Sequence, residues 1–474
     1  MKSTTHISNY VHNTKTMKKL DKNLRIGIWG FGKMGKSATD YLQKQGYSLS
    51  IMDKRIPTAE EQQYLQEKNI IWYSEKEQEM FFNSCDHIIS SPGINISPSR
   101  YATHKDKWIH ELDFFYQHFN KPIIAITGSI GKTSVTHILA QIFKKLEIPV
   151  AVGGNIGIPT FDLIDLQNNV DYALLEVSSF QLMHCTKFAP TLAIWTNFYP
   201  NHLDYHATED EYFAAKSVIT QHQVKDSYSL IPLSLREKVA AQPSSSIRAY
   251  FSITMPSPID LHATERLYYI ANNTIMRLAD NINTPLIKLT PALQELSFID
   301  NILVLVGVCD LIKLDFSALH TIASTTQLPA HRIEKICTIN DVTFYNDSKG
   351  TTTVSTLAAV EKLKNHPLHL FLGGLSKGID RSPFIVQLKN QVKHIYCFGK
   401  EADELYNMCV QNGISATKHI NLNCAVDTCI TTLQSGDCVL LSPAGSSFDL
   451  YENYEHRGNH FKELIATYLQ RCNP

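Results

Sequence analysis

The chain has 474 residues, enough for two to four domains, and its 43% hydrophobic content is that of a globular protein with full cores. Lys and Arg number 44 against 45 Asp and Glu. This balance argues against a blanket electrostatic footprint for nucleic acid or an acidic membrane, but it allows a local basic site. Ten cysteines without a Cys-x-x-Cys pair predict reduced thiols and not a disulfide framework. No apolar run approaches the roughly 18 residues of a membrane span. Residues 1–22 are polar and Lys-rich, predicting a flexible tail and not a secretory signal. A cytoplasmic protein with no membrane insertion and no nucleic-acid partner is expected.

In chain order, the apolar run 24–30 predicts a strand, followed by a Gly-rich turn, a helix over about 36–45 and a second strand over 49–52, a βαβ opening. The turn is Gly30-Phe-Gly32-Lys-Met-Gly35, with Asp53 at the end of the next strand. Read alone it fits a dinucleotide site, Asp53 taking a ribose, or merely a tight turn needing small residues. A strand over 87–89 runs into Ser91-Pro92-Gly93. Another strand over 122–127 leads into Thr127-Gly-Ser-Ile-Gly-Lys-Thr133 and a helix. Glycines there let backbone N–H groups converge on phosphate oxygens, Lys132 reaches the β/γ phosphates, and the Thr133 hydroxyl suits Mg²⁺. A hydride-transfer enzyme has no need of such a triphosphate site, so this loop weighs against a dehydrogenase.

Strands follow over 172–177, ending near Glu176, and over 192–196. An acid at the carboxyl end of a parallel strand beside a phosphate loop suits Mg²⁺. A helix is predicted from Thr208, with Glu211 at capping-box spacing. Residues 225–300 read as short strand-like pieces, and a helix follows Asn301. The last third contains strands over 342–346, 368–372, 395–398 and 439–441, a helix from about 354, and a final helix after Gly458 to about 469. Arg332, Asp347 and Lys349, Gly373-Gly374 with Lys377, and the segment 442–447 all fall at the carboxyl ends of strands, where α/β sheets bind ligands. The pattern predicts an α/β protein. Its divisions are a tail over 1–22, a Rossmann-like domain over 23–118, a central phosphate-loop domain with a mostly parallel sheet over 119–329, and a Rossmann-like domain over 330–474.

These motifs, in this order, resemble the Mur ligase family over nearly the whole chain from residue 24. The likeness rests on TGSIGKT at 127–133, GGNIG at 153–157, LLEVSSFQL at 174–182, NHLDYH at 201–206, HR at 331–332, YNDSKGT at 345–351, GG-x-x-K at 373–377 and LSPAGSSFDLYENYEHRG at 441–458. It is greatest with the members that add D-glutamate. It implies an ATP-dependent, amide-forming ligase acting through an acyl phosphate on UDP-N-acetylmuramoyl-L-alanine and D-glutamate, as a monomer, in peptidoglycan precursor synthesis.

Carried over residue by residue, the resemblance implies Lys132, His202 and Lys216 as catalytic. ATP contacts are Gly128, Ser129, Gly131, Lys132, Thr133, Ser134, Asn301, Arg332 and Asp347. Two Mg²⁺ sites draw on Thr133, Glu176, His202 and a carbamylated Lys216. The two other substrates touch Gly32, Asp53, Arg55, Gly93, Asn155, Ser178, Lys349, Thr351, Lys377, Ser447 and Tyr454. The chain departs from the family at Ile130, where Asn is usual, at Asp300 and Val304 on the adenine side, at Lys33-Met34, and at Thr352. Sister ligases adding other amino acids and a catalytically inactive nucleotide-binding protein are the rival readings.

Overall fold

The computed structural model describes residues 21–96, 98–202, 205–242, 244–256, 260–325, 330–376 and 378–472. Residues 1–20 of the expected tail, and Lys377, lie outside the described residues.

The first sheet contains β1 (Arg25–Trp29), β2 (Ser48–Met52), β3 (Ile71–Tyr73) and β4 (His87–Ser90), all parallel, in the order β3-β2-β1-β4. The helix after β1 spans Lys33–Lys44 and so starts earlier than the expected 36. Gly35 is the reason: a Cβ there would stand 1.9 Å from the Gly30 carbonyl oxygen, so only glycine lets the first helical turn lie against the end of β1.

The second sheet has nine strands: β5 (Ile123–Thr127), β6 (Val150–Gly154), β7 (Tyr172–Glu176), β8 (Leu192–Trp195), β9 (Tyr228–Pro232), β10 (Ile247–Phe251), β11 (Arg266–Ala271), β12 (Thr274–Ala279) and β13 (Ile282–Lys288). Their order is β13-β12-β11-β10-β9-β8-β5-β7-β6. Strands β5 to β11 pair in parallel, and β11, β12 and β13 pair antiparallel. Every residue of β5 and β7 is buried, because both faces are covered. Ile124, Ile126, Ile138, Ile302 and Val306 fill one side. On the other, Ala125, Leu175 and Leu182 join a cluster that continues to Ile26 and Ile28 of β1. The antiparallel end turns on Asn272-Asn273 and Asp280-Asn281, all at positive φ (49°, 57°, 50° and 61°), the backbone that two-residue hairpins require. The outermost strand carries Pro285 opposite Met276, beside a register shift at Ile275/Met276.

The third sheet contains β14 (Glu334–Ile339), β15 (Val342–Asn346), β16 (Leu368–Gly373), β17 (His394–Phe398), β18 (Ala416–His419) and β19 (Cys438–Leu441), in the order β14-β15-β19-β16-β17-β18. Only the β14–β15 hairpin is antiparallel. The last helix spans Tyr454–Cys472, starting before Gly458 and not after it. Gly458 acts as a packing residue inside the helix, since a Cβ there would stand 2.2 Å from His331 Nδ1. The first two sheets form one compact unit and the third another, to which the segment Tyr199–Glu209 belongs. Among the described residues no helix is long and apolar enough to cross a membrane.

Candidate active site

The phosphate loop leaves β5 at Thr127 and enters the helix Lys132–Lys145. Two glycines make its shape possible. Gly128 (φ +147°) packs where a Cβ would stand 2.0 Å from Thr196 Oγ1, and Gly131 (φ +84°) where one would stand 2.5 Å from Asn301 Oδ1. The N–H groups of Thr133 and Ser134 lie in the first helical turn, where no intrahelical acceptor exists and anions are favoured. Lys132 Nζ folds back over the loop, donating to the carbonyls of Gly128 (2.8 Å) and Ser129 (3.2 Å).

Glu176 ends β7 and is 2% exposed. Its Oε1 accepts from Asn155 Nδ2 at 3.1 Å, while the buried Oε2 has no hydrogen-bond partner. An orphaned, buried carboxylate oxygen is costly unless a ligand completes it. Lys216, on the helix Glu209–Gln221, is also 2% exposed. Its Nζ donates to the Gly128 carbonyl at 3.0 Å and lies 4.6 Å from the Tyr212 ring centroid. Burial, reinforced by the Lys132 charge and opposed by Glu176, holds its pKa well below the usual lysine range. Among the described residues no cage of three or more acidic, His or Cys side chains forms. A hydroxyl, one orphaned carboxylate oxygen and phosphates fit Mg²⁺, which binds through few protein oxygens and keeps its waters.

Ser178 caps the short helix Ser179–Leu182, accepting from Gln181 N. Gln181 Oε1 in turn accepts from Ser178 N and Oγ, both at 3.1 Å. Its Nε2 donates to Glu111 Oε2 at 3.2 Å, and Glu111 Oε1 also takes the Thr160 hydroxyl at 2.6 Å. Burial raises the Glu111 pKa from its ordinary value, against the bonds from Thr160 and Gln181. Asn301 is buried with Nδ2 on Ser297 Oγ (2.9 Å) and Oδ1 against Gly131. Val304 is spent in the core.

In the first sheet, Asp53 Oδ2 accepts from Phe31 N at 2.6 Å and Oδ1 from Arg55 N at 3.1 Å. Arg55 pairs with Glu61 at 2.6 Å and also donates to the Phe31 carbonyl at 3.1 Å. That bond to Arg55 holds the Glu61 carboxyl well below the usual range. Gly32 and Gly93 face open space, where an added Cβ would meet nothing. Lys33 donates to the Gly157 carbonyl at 2.5 Å, tying this turn to the GGNIG segment.

In the second unit, Asp347 is buried. Its Oδ2 accepts from Ser442 Oγ (2.7 Å) and its Oδ1 from Ile333 N (3.2 Å). Burial raises its pKa to about 7, against the pull of Ser442 and Arg332. Arg332 sits between His331 (φ 66°) and Ile333 (φ 46°), a left-handed backbone that a β-branched residue rarely adopts. Lys349 Nζ lies 4.9 Å from the Tyr454 ring, Thr351 N bonds the Lys349 carbonyl at 2.8 Å, and Ser447 is 3% exposed. Arg457, wholly buried, donates to Ser348 Oγ (3.0 Å), the Ser348 carbonyl (2.8 Å) and the Gly445 carbonyl (3.1 Å). His202 has φ 58°, and its carbonyl accepts from His206 N at 2.9 Å.

Gly128, Ser129, Gly131, Lys132, Thr133, Ser134, Asn155, Glu176, Ser178, Lys216 and Asn301 therefore gather around one edge of the central sheet. Gly32, Asp53 and Arg55 gather at the first turn, and Arg332, Asp347, Lys349, Thr351, Ser447 and Tyr454 in the second unit. The sequence reading did not single out Thr196, Asn197, Glu111, Gln181 or Arg457. Gln181 lay inside a quoted motif. Arg457 likewise lay inside the quoted run 441–458, whereas Thr196, Asn197 and Glu111 carry no motif and act through contacts distant in the chain.

A glycine-rich loop and an acid at the ends of parallel strands, with a buried lysine on the helix Glu209–Gln221 and a further α/β unit, fit a nucleotide-dependent ligase of three sheets. Three family signatures match in series: a MurD-like N-terminal domain over 24–110, a Mur ligase middle domain over 126–280 and a Mur ligase glutamate ligase domain over 331–445. The chain belongs to the Mur ligase family. It is 30% identical to the UDP-N-acetylmuramoylalanine–D-glutamate ligase of Christiangramia forsetii, covering 93% of this chain and 99% of that protein. It is 28% identical to the like-named enzyme of Pseudothermotoga lettingae, over 92% and 96%. The fold is shared with the UDP-N-acetylmuramate-alanine ligase of Thermotoga maritima (TM-score 0.54, 14% identity, 94% and 100% covered). It is also shared with a pseudomurein peptide ligase of Methanothermus fervidus (TM-score 0.55, 14% identity, 94% and 100% covered).

Proposed function

We infer that this enzyme joins D-glutamate to UDP-N-acetylmuramoyl-L-alanine in peptidoglycan precursor synthesis. As a Mur ligase it uses ATP and Mg²⁺. The alanyl carboxylate attacks the γ-phosphate to give an acyl phosphate and ADP. The D-glutamate amine then attacks the acyl carbon, loses a proton and expels phosphate. The observation that carries the chemistry is the meeting of Lys132, Lys216 and the orphaned Glu176 Oε2 at the ends of β5 and β7. Lys132 neutralises charge building on the transferred phosphoryl group. Mg²⁺ supplies Lewis-acid polarisation of the phosphoryl oxygens, with Thr133 and Glu176 as its first protein oxygens.

A carbamylated Lys216, with His202, serves a second Mg²⁺ in this reading. A buried ammonium repelled by Lys132 is costly, whereas a carbamate on the same nitrogen is attracted by it. Arg332, Asp347 and Asn301 serve the nucleotide, and Gly32, Asp53, Arg55 and Gly93 the uridine diphosphate. Asn155 and Ser178 serve the sugar peptide, and Lys349, Thr351, Lys377, Ser447 and Tyr454 the D-glutamate. In this reading the domains span 23–118, 119–329 and 330–474, and the enzyme is a cytoplasmic monomer.

The test is phosphate release with a panel of amino acids at saturating ATP and UDP-N-acetylmuramoyl-L-alanine. D-glutamate is expected to drive turnover, with L-glutamate, L-alanine and diamino acids rejected. A preference for L-alanine or a diamino acid would move the chain to a sister ligase.

A further inference from the structure

The phosphate loop is fastened to the neighbouring strand's end at Ser129 and Ile130, and one side chain contacts the backbone of both. Asn197 follows β8, the strand beside β5. Its Oδ1 accepts from the N–H groups of Ser129 (3.1 Å) and Ile130 (2.9 Å), and its Nδ2 donates to the Ile130 carbonyl (3.1 Å). Its own carbonyl accepts from Ser129 N at 3.2 Å. The preceding Thr196 hydroxyl donates to the same Ile130 carbonyl at 2.6 Å. The base of this clip is rigid, because Trp195 Nε1, on a side chain with no exposed surface, donates to the Asn197 carbonyl at 3.0 Å, and Thr196 N to the Thr127 carbonyl at 2.9 Å.

We propose that Asn197 is a positioning residue of the nucleotide site: its amide clips the backbone of Ile130 and so fixes the direction in which the loop's remaining N–H groups point. The proposal rests on reading residues 127–133 as the triphosphate site. Asparagine suits the task because its short amide both accepts and donates at one end. It is also neutral. A carboxylate would accept the two N–H bonds equally well, but it could not donate to the Ile130 carbonyl, and it would set a negative charge beside the phosphates. The clip holds backbone atoms only, so the shape of the loop does not depend on the side chain at position 130, and an apolar isoleucine is tolerated there.

The experiment is titration of the full chain and its variants with MgADP by calorimetry, with the Michaelis constants for ATP and D-glutamate measured in parallel. Asn197→Ala should weaken ADP by roughly ten- to a hundredfold, the scale of two or three lost hydrogen bonds, and raise KM for ATP while leaving KM for D-glutamate unchanged. Asn197→Asp should weaken ADP further. An Asn197→Ala protein that binds ADP within twofold of the parent overturns the proposal. So does one that binds more tightly, since that would make the amide a stand-in for a phosphate oxygen. If Asn197→Ala does not fold, Thr196→Val decides: about threefold or greater weakening supports the clip, and unchanged binding overturns it. A parent protein that fails to bind ADP at all overturns the triphosphate reading and the clip with it, whereas normal parent binding with an insensitive variant overturns the clip alone.

Discussion

The turns after β1 and β5 are built alike and differ in sign. Each is a Gly-rich strand-to-helix turn, and in each a residue just beyond the neighbouring strand accepts hydrogen bonds from the turn's own N–H groups. After β1 that residue is Asp53, whose carboxylate takes Phe31 N at 2.6 Å. After β5 it is Asn197, whose neutral amide takes Ser129 N and Ile130 N. Their lysines differ as well. Lys33 reaches away to the Gly157 carbonyl, while Lys132 folds over its own loop. The same backbone device thus yields one turn braced by a carboxylate and one braced by a neutral amide.

The largest test of this contrast removes the lysines. Lys132→Ala should cost on the order of a thousandfold or more in phosphate release, because phosphoryl transfer depends on positioning and charge. Lys33→Ala should change the rate by less than about tenfold, the value of one exposed bond. Near-normal turnover from a folded Lys132→Ala protein would erase the difference between the turns. Lys216→Ala should be nearly inactive and should recover part of its rate when short carboxylic acids fill the vacated anion position. Full activity without them would end the carbamate assignment.

Stability gives smaller effects. Gly35→Ala places a Cβ 1.9 Å from the Gly30 carbonyl oxygen, and should lower the unfolding free energy by about 2 kcal/mol or more in chemical denaturation. Asp53→Asn keeps an acceptor but weakens a charge-assisted bond, so about 1 kcal/mol should be lost. ADP affinity should be unchanged, and a large fall would show that the two turns are not independent.

The smallest effect is one of slope. Burial raises the Glu111 pKa, so the native state binds this proton more tightly than the unfolded chain does. The contribution of Glu111 is fully present below the ordinary glutamate pKa and is lost as pH rises through the folded value. Glu111→Gln should therefore flatten the fall of Tm across that window. An unchanged slope would place the titration elsewhere.

Much of this was legible in the sequence, for physical reasons. Strands such as 368–372 were found because buried parallel strands read as apolar runs bounded by turns, and TGSIGKT because few residues can cradle phosphate. The segment 225–300 was opaque. Its hairpins turn on Asn272-Asn273 and Asp280-Asn281 without glycine, and their strands carry polar residues on an open face. The start of the last helix was misplaced because Gly458 looks like a boundary until His331 is seen against it. Asn197 could not be read at all. Nothing local marks it, and its role exists only because β8 lies beside β5.

The outer strand β13 carries one more consequence. It borders a sheet of nine strands, and Ile282 on it is 64% exposed. A long open edge of that kind is a template on which a stray chain can dock and begin a fibril. Pro285 interrupts the row of N–H donors, and the register shift at Ile275/Met276 kinks the adjoining ladder. Through this edge, crowded or partly denatured protein should resist polymerising into intermolecular sheets.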